Sequence, residues 1–388
     1  MTARVNQRAE NITPFHVMRL LARAKELEAQ GRDIVHMEIG EPDFPTPAPI
    51  VKAAQQAIAT DAMHYTAATG LPLLQQRIAE FYHSRYGVQV TPQRIVITPG
   101  ASGALLLALA AVLDVDQEIL LTDPGYPCNL NMVSFLGSRA RRIAVGPQTN
   151  YQLTAAHIVQ HWSAETRAVL LASPSNPTGT IISEQELSQI AAVVSARQGE
   201  LVVDEIYHGL VYAQPPASVL NVTDQAFVIN SFSKYFGMTG WRLGWMVVPD
   251  HYRDVIERLA QNIYLAASSP AQHAALVAFE PATLNILEQR RVQFQQRRDF
   301  LVPALRALGF EIAVEPQGAF YLYCACGRFT QNSLAFCEDI LEQTGVACTP
   351  GIDFGTHHAN THVRFAYTTG LEKLQDGIDR LQQYLSGR

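Results

Sequence analysis

A lysine lies among hydroxyls and glycines in the segment from Ser231 to Arg242, a setting that can hold an aldehyde cofactor. Lys234 can form a Schiff base with a carbonyl group, and does so best where its ammonium is partly desolvated and its pKa is lowered. Ser231 and Arg242 offer a hydroxyl and a guanidinium fork that can bind phosphate oxygens. The lysine and the phosphate-binding groups together predict pyridoxal phosphate. Taken alone, the segment also fits an ordinary glycine-containing turn.

Three further polar residues, Asn176, Asp204 and Tyr207, follow apolar runs upstream of the lysine. Ligand sites of α/β proteins lie at the ends of strands. A carboxylate beside the pyridine nitrogen keeps a pyridoxal ring protonated, and Asp204, directly after Leu201 to Val203, fits that role. Asn176 and Tyr207 supply an amide and a hydroxyl for the phenolic oxygen of the ring. Each residue alone also fits a turn, a cap or an ion pair, so the prediction depends on their order and spacing.

The chain resembles the class I and II aminotransferases, pyridoxal phosphate enzymes with the aspartate aminotransferase fold. The resemblance extends from the segment Ile39 to Phe44 to the segment Val363 to Phe365. The resemblance implies that Lys234 carries the cofactor and then shuttles protons. It implies that further cofactor contacts come from Tyr65, Gly100, Ala101, Ser102, Tyr126, Asn176, Asp204, Tyr207, Ser231 and Arg242. Substrate contacts are expected from Gly40, Asn176 and Arg364.

The phosphate contacts also follow from local chemistry. Small residues open an apolar helix in the segment from Thr98 to Ala104, and the free N–H groups at such a helix start attract phosphate. Gly100, Ala101 and Ser102 are therefore the expected contacts. By resemblance, Tyr126 stacks on the cofactor ring.

Three residues carry expectations about the substrate and a second subunit. The resemblance implies that Tyr65 reaches the phosphate of a partner, which predicts a homodimer with shared active sites; the alternative is an exposed turn tyrosine. Arg364 is expected to hold the substrate α-carboxylate by two hydrogen bonds, and otherwise to be a surface strand arginine. Gly40 would let that carboxylate approach closely, because glycine has no side chain.

The resemblance further implies a ping-pong transfer of an amino group from an L-amino acid to a 2-oxo acid. Ser102 stands where bacterial members that act on acidic substrates often carry a lysine, which favours a donor with a neutral side chain. An aspartate-type enzyme remains an alternative if Arg19, Arg23 or a partner residue supplies a cation. A pyridoxal phosphate β-lyase is a second alternative. A regulatory protein with a DNA-binding module is disfavoured, because little sequence precedes the fold.

Composition limits the other classes of function. The chain has 388 residues, 48% of them hydrophobic, and a net charge of −6, which gives no field for nucleic acid or an anionic membrane. Its longest apolar run, Ala104 to Leu113, is far shorter than the roughly 20 residues of a membrane span. The N-terminus lacks a signal-peptide core, so we expect a cytoplasmic protein. Five cysteines without C-x-x-C spacing predict no metal site.

Apolar strands alternate with helical stretches through the middle of the chain, which predicts an α/β fold. Its large domain is expected to hold a mostly parallel sheet covered by helices on both faces. We expect an N-terminal arm over residues 1–45, a large cofactor-binding domain over 46–284 and a C-terminal segment over 285–388. The arm and the C-terminal segment together form a smaller α/β domain.

Overall fold

The computed structural model describes residues 5–60, 63–213 and 216–387. In these residues the strands are β1 (Val35–His36), β2 (Ile95–Thr98), β3 (Glu118–Asp123), β4 (Arg139–Ala144), β5 (Thr166–Ala172), β6 (Glu200–Asp204), β7 (Ala226–Ser231), β8 (Gly244–Val247), β9 (Tyr321–Ala325), β10 (Val346–Ala347), β11 (Thr349–Pro350) and β12 (His362–Ala366). The α-helices are α1 (Gln7–Glu10), α2 (His16–Ala29), α3 (Ala48–Ala59), α4 (Pro72–Tyr86), α5 (Gly100–Val112), α6 (Pro127–Leu136), α7 (Ala155–His161), α8 (Glu184–Ala196), α9 (Arg253–Ile263), α10 (Ser269–Ala275), α11 (Pro281–Leu308), α12 (Ser333–Thr344) and α13 (Leu371–Ser386).

The large sheet has the strand order β2-β8-β7-β6-β5-β3-β4. Its strands from β3 to β7 pair in parallel, whereas β8 runs antiparallel to both of its neighbours, β2 and β7. The expected mostly parallel sheet is therefore confirmed.

The central strands of this sheet are buried on both faces, because helices cover each side. In β6, Leu201 and Val203 point into one hydrophobic cluster, and Val202 points into another. The first cluster includes residues of α4 and α8, and the second includes residues of α5 and α9. Successive side chains of a strand point to opposite faces, and here both faces are covered by helices. The central strands therefore appear in the sequence as continuous apolar runs and not as alternating apolar and polar residues.

The N-terminal arm and the C-terminal segment meet in two small sheets. β1 pairs in parallel with β10, and β9 and β11 flank β12 in an antiparallel sheet. This pairing gives the smaller α/β unit. The domain boundaries themselves stay predictions; the one expected after residue 284 falls in the first turn of α11, and residues 1–4 and 388 lie outside the described part of the chain.

No helix in the described ranges is both long enough and apolar enough to cross a membrane.

Candidate active site

A cavity of about 420 Å³ lies where β5, β6 and β7 end, between the large sheet and the smaller unit. Parallel strands bring their carboxyl ends to one edge of a sheet, so side chains that follow different strands meet there. Of the predicted residues, those lining this cavity are Gly40, Ala101, Ser102, Tyr126, Asn176, Asp204, Tyr207, Ser231, Lys234, Arg242 and Arg364.

Lys234 follows β7 and points into the cavity. Its Nζ donates a hydrogen bond to the carbonyl oxygen of Gly40 at 2.7 Å. Burial lowers the pKa of Lys234 to about 8, against the opposing effect of Glu41. A lysine with this pKa is partly neutral near pH 7, so it can act as a nucleophile or as a base.

Asp204 is the last residue of β6, and its carboxylate is buried against the cavity. Oδ1 accepts a hydrogen bond from the N–H of Ile206 at 3.0 Å. Burial raises the pKa of Asp204 to about 6, while Lys234 acts to lower it. A buried carboxylate of this kind favours a cationic partner in the cavity.

The start of α5 forms one wall of the site together with Arg242. Gly100 has a φ of 70°, and a Cβ built there would lie 2.7 Å from Nη2 of Arg242. Glycine is therefore required both by the left-handed backbone and by the space the guanidinium fills. Gly100, Ala101 and Ser102 begin the helix, where N–H groups have no partner within the helix.

Two serines lie beside this helix start. Ser231 Oγ accepts a hydrogen bond from the N–H of Ser233 at 3.0 Å and can donate to the Leu243 carbonyl at 3.1 Å. Ser233 also lines the cavity. The sequence prediction missed Ser233, although its position between Ser231 and Lys234 was a usable signal.

Arg364 is a buried residue of β12 and not a surface strand arginine. Its Nη1 donates to Asn176 Oδ1 at 2.8 Å, and its Nη2 donates to Thr349 Oγ1 at 3.2 Å. Nε is buried and has no hydrogen-bond partner in the described residues. A buried guanidinium with an unused donor is suited to an anionic ligand.

Tyr207 meets a residue that the sequence prediction missed. Its hydroxyl lies 2.8 Å from the hydroxyl of Tyr321, and both side chains are buried. A Cβ at Gly40 would overlap Oη of Tyr321, which gives Gly40 a structural reason to lack a side chain. Tyr321 carried no signal in the sequence, because Phe320, Tyr321 and Leu322 read as an ordinary apolar strand.

Tyr65 lies outside this cavity. Its side chain is 83% exposed, so within a single chain it does not contribute to the site.

Arg19 and Arg23, the residues named as alternative sources of a cation, do not line this cavity. Arg19 pairs with Glu338 and Arg23 with Glu342, and these residues line a separate surface depression. Both arginines belong to the polar face of α2, which packs against α12.

Comparisons with known proteins agree over the whole length of the chain. The sequence model of the family described as "Aminotransferase class I and II" matches residues 32–381. A valine–pyruvate aminotransferase of Mycobacterium tuberculosis is 38% identical over 387 residues, which cover 99% of each chain. An aspartate aminotransferase of Thermotoga maritima is 31% identical over 99% of this chain and 100% of that protein. The crystal structure of an aminotransferase from Mycobacterium tuberculosis superposes with a TM-score of 0.97 at 37% identity, covering 100% of both chains.

Proposed function

This chain belongs to the class I and II aminotransferases, and from that premise we propose that it moves the amino group of a neutral L-amino acid to a 2-oxo acid. We propose pyridoxal phosphate as the cofactor. The main observation behind the proposal is that Lys234, Asp204 and Arg364 line the same cavity.

The residues present fit the cofactor. The start of α5, Arg242 and the serines at 231 and 233 form a cradle for a phosphate, and a Cβ at Gly100 would intrude on it. Asp204 would hold the proton of the pyridine nitrogen. Asn176 accepts from Arg364 through Oδ1, so its Nδ2 would be available to donate to the phenolic oxygen, as would the Tyr207 hydroxyl.

When bound, the cofactor supplies an electron sink for the α-carbon of the substrate. Lys234 then takes the α-proton at Nζ and returns it during the transfer, for which its lowered pKa suits it. Arg364 binds the α-carboxylate and so orients the substrate for that proton transfer. Ping-pong kinetics follow, because the oxo acid product leaves before the second oxo acid enters.

The preference for a neutral donor is supported by the charges of the cavity. Its cationic residues, among the described residues, are Lys234, Arg242 and Arg364, and the roles above use all three. An acidic substrate side chain would find no cation and would meet Glu41 and Asp204 nearby. The name of the Mycobacterium tuberculosis relative, a valine–pyruvate aminotransferase, agrees with a neutral aliphatic donor.

A panel of amino donors in single-turnover reactions tests this proposal. We expect L-valine and L-alanine to discharge the cofactor absorbance at least about tenfold faster than L-aspartate, because one unpaired buried charge costs more than about 1.4 kcal/mol. A faster reaction with L-aspartate would show that a second subunit supplies a cation. Release of pyruvate from cysteine-type substrates without added oxo acid would show a β-lyase instead.

We also propose a homodimer in which Tyr65 serves the partner's site. The residues on both sides of Tyr65 are held by α10, because Ser269 Oγ donates to the His64 carbonyl at 2.6 Å and Gln272 Nε2 donates to the side-chain Oγ1 of Thr66 at 3.0 Å. A firmly held turn that leaves an aromatic ring exposed is suited to contact a second copy.

A further inference from the structure

Tyr321, the first residue of β9, contacts three residues of the site from one buried position. Its hydroxyl lies 2.8 Å from the Tyr207 hydroxyl. Its ring faces the Arg364 guanidinium, whose Cζ is 4.3 Å from the ring centroid. Its Oη fills the space that a Cβ at Gly40 would need. A side chain at this junction can affect the cofactor-binding groups and the substrate-binding groups together.

The hydrogen bond between the two tyrosines limits what each can donate. Each hydroxyl has one proton and can accept a second hydrogen bond, and at this distance either oxygen can be the donor. If Tyr207 donated to Tyr321, it would have no proton left for an acceptor in the cavity. If Tyr321 donates, Tyr207 keeps its proton for such an acceptor.

The surroundings favour Tyr321 as the donor. Burial raises the pKa of Tyr207 well above its usual value, Tyr321 raises it further, and the Arg364 charge acts in the opposite direction. Burial also raises the pKa of Tyr321, but the Arg364 charge and the hydrogen bond with Tyr207 counteract it. Arg364 lowers the pKa of both tyrosines, but its guanidinium lies over the ring of Tyr321, 4.3 Å from the centroid. The stronger acid of a pair donates, and this contact makes Tyr321 the stronger one. Tyr126 is a further titratable group that raises the Tyr207 pKa.

We propose that Tyr321 is a positioning residue that donates to Tyr207 and so directs the Tyr207 proton to the phenolic oxygen of the cofactor. The proposal rests on the proposed function, which assigns that oxygen to Tyr207. A donor that itself accepts a hydrogen bond is polarised and donates more strongly. Tyr321 therefore tunes the cofactor through Tyr207.

The test is a spectrophotometric titration of the bound cofactor in the holoenzyme. Loss of the Tyr207 hydroxyl in Tyr207→Phe should raise the apparent pKa of the cofactor by at least about 1 unit, because a charge-assisted hydrogen bond is lost. Tyr321→Phe should raise it by about 0.3 to 0.6 unit, since only the polarisation of that bond is lost. In the double variant the shift should equal that of Tyr207→Phe alone.

Tyr323 provides a matched control on the same strand. It is buried two residues further along β9, and its hydroxyl has no hydrogen-bond partner among the described residues. Tyr323→Phe should leave the cofactor pKa unchanged. Incorporation of difluorotyrosine at position 321 makes a stronger donor and should shift the cofactor pKa downward, a direction that a loosened fold would not produce.

The outcomes separate this inference from the proposed function. A wild-type protein without a titrating cofactor absorbance would overturn the function itself. A shift with Tyr207→Phe, but none with Tyr321→Phe beyond that of Tyr323→Phe, would overturn only the role of Tyr321. An additional shift from Tyr321→Phe in the Tyr207→Phe background would show that Tyr321 acts independently of Tyr207, which also contradicts the proposal.

Discussion

Asp204 and Glu205 are adjacent in the chain, yet their carboxyl groups lie in different surroundings. Asp204 lines the ligand cavity, whereas Glu205 accepts hydrogen bonds from Val219 N at 2.8 Å and from Ser218 Oγ at 3.0 Å. Burial raises the pKa of Asp204 to about 6 and that of Glu205 to about 8. The residue that faces the cavity is expected to act in the reaction, and its neighbour to hold a turn.

Asp204→Asn should slow transamination by at least ~10³, or about 4 kcal/mol of transition-state stabilisation, because an amide cannot hold a pyridinium proton by charge. The measurement is kcat/KM with a saturating cofactor concentration. Glu205→Gln is the matched control at pH 7, where the buried Glu205 is largely protonated, and it should stay within about threefold of wild type. An Asp204→Asn enzyme within tenfold of wild type would show that another group protonates the ring.

Glu205 also predicts how stability changes with pH. The folded protein keeps this proton up to about pH 8, whereas the unfolded chain releases it near 4.5, so the folded state binds more protons between these values. The contribution of Glu205 to stability is therefore largest below about pH 4.5 and falls as pH rises toward 8. Its neighbour His208, 3.4 Å away, has the opposite effect below about pH 6.5, because burial lowers the pKa of His208 to about 3 and the unfolded chain then binds a proton that the folded ring does not. A comparison of wild type with a Glu205 variant removes this contribution, since His208 is present in both.

Glu205→Gln lacks this titration. Relative to wild type, the variant should gain roughly 1 to 3 kcal/mol in free energy of unfolding between pH 5 and pH 8. Urea unfolding at several pH values measures the difference. A constant difference across this range would mean that Glu205 is already ionised in the folded state.

Residue types at the ends of apolar runs predicted Lys234, Asp204, Asn176 and Tyr207, whereas Arg364, Tyr126 and Gly40 were predicted from the family resemblance. Lys234 and Asp204 carry charge, and charge among apolar residues stands out in a sequence. Tyr321 does not, because a tyrosine in an apolar strand is common and its role depends on contacts with residues more than 40 positions away. Such a residue becomes visible only when the fold brings Tyr207 and Arg364 to it.

Among the elements, the start of α5 has the tightest steric requirement. Gly100→Ala would force an alanine into φ near 70° and bring its Cβ to 2.7 Å from the Arg242 guanidinium. We expect the backbone conformation to cost about 1 to 2 kcal/mol and the displaced arginine to weaken cofactor binding at least tenfold. Equilibrium dialysis of the apoenzyme with pyridoxal phosphate measures this.

Gly370→Ala is the control for that variant. Gly370 has a negative φ, and a Cβ there would meet nothing within 4 Å. It should bind the cofactor as wild type does. Equal binding by Gly100→Ala would mean that the phosphate does not lie at the start of α5.

Strand β4 shows where prediction of the elements failed. It lies at the edge of the large sheet, paired with β3 alone, and its side chains at 139, 141 and 142 are exposed or partly exposed arginines. An edge strand with a polar outer face has no apolar run, so no pattern in the sequence marked it. The central strands, buried on both faces, were all recognised from their apolar runs.

At the scale of the whole molecule, the shared site can be tested by mixing inactive subunits. Tyr65→Ala chains and Lys234→Ala chains should each be strongly impaired, but hybrids would contain one site with both residues intact. Random exchange of equal amounts should restore about one quarter of wild-type activity, since half of the dimers are hybrids with one intact site of two.

A mixture of Asp204→Asn with Lys234→Ala chains is the control, because both residues act in their own chain and no hybrid site is intact. It should recover no activity. If native mass spectrometry confirms the Tyr65→Ala hybrids and their activity still does not return, Tyr65 does not serve the partner's site.

The strand order of the large sheet also determines when its strands can pair during synthesis on the ribosome. β2 has β8 as its neighbour in the sheet, and β8 follows roughly 150 residues later in the chain. At translation rates of about 5 to 20 residues per second, β8 is synthesised roughly 8 to 30 seconds after β2, and β2 cannot pair with it before then. During that time α5, which follows β2, has no completed sheet to pack on, so the phosphate-binding end of the site is assembled only after the other strands have emerged.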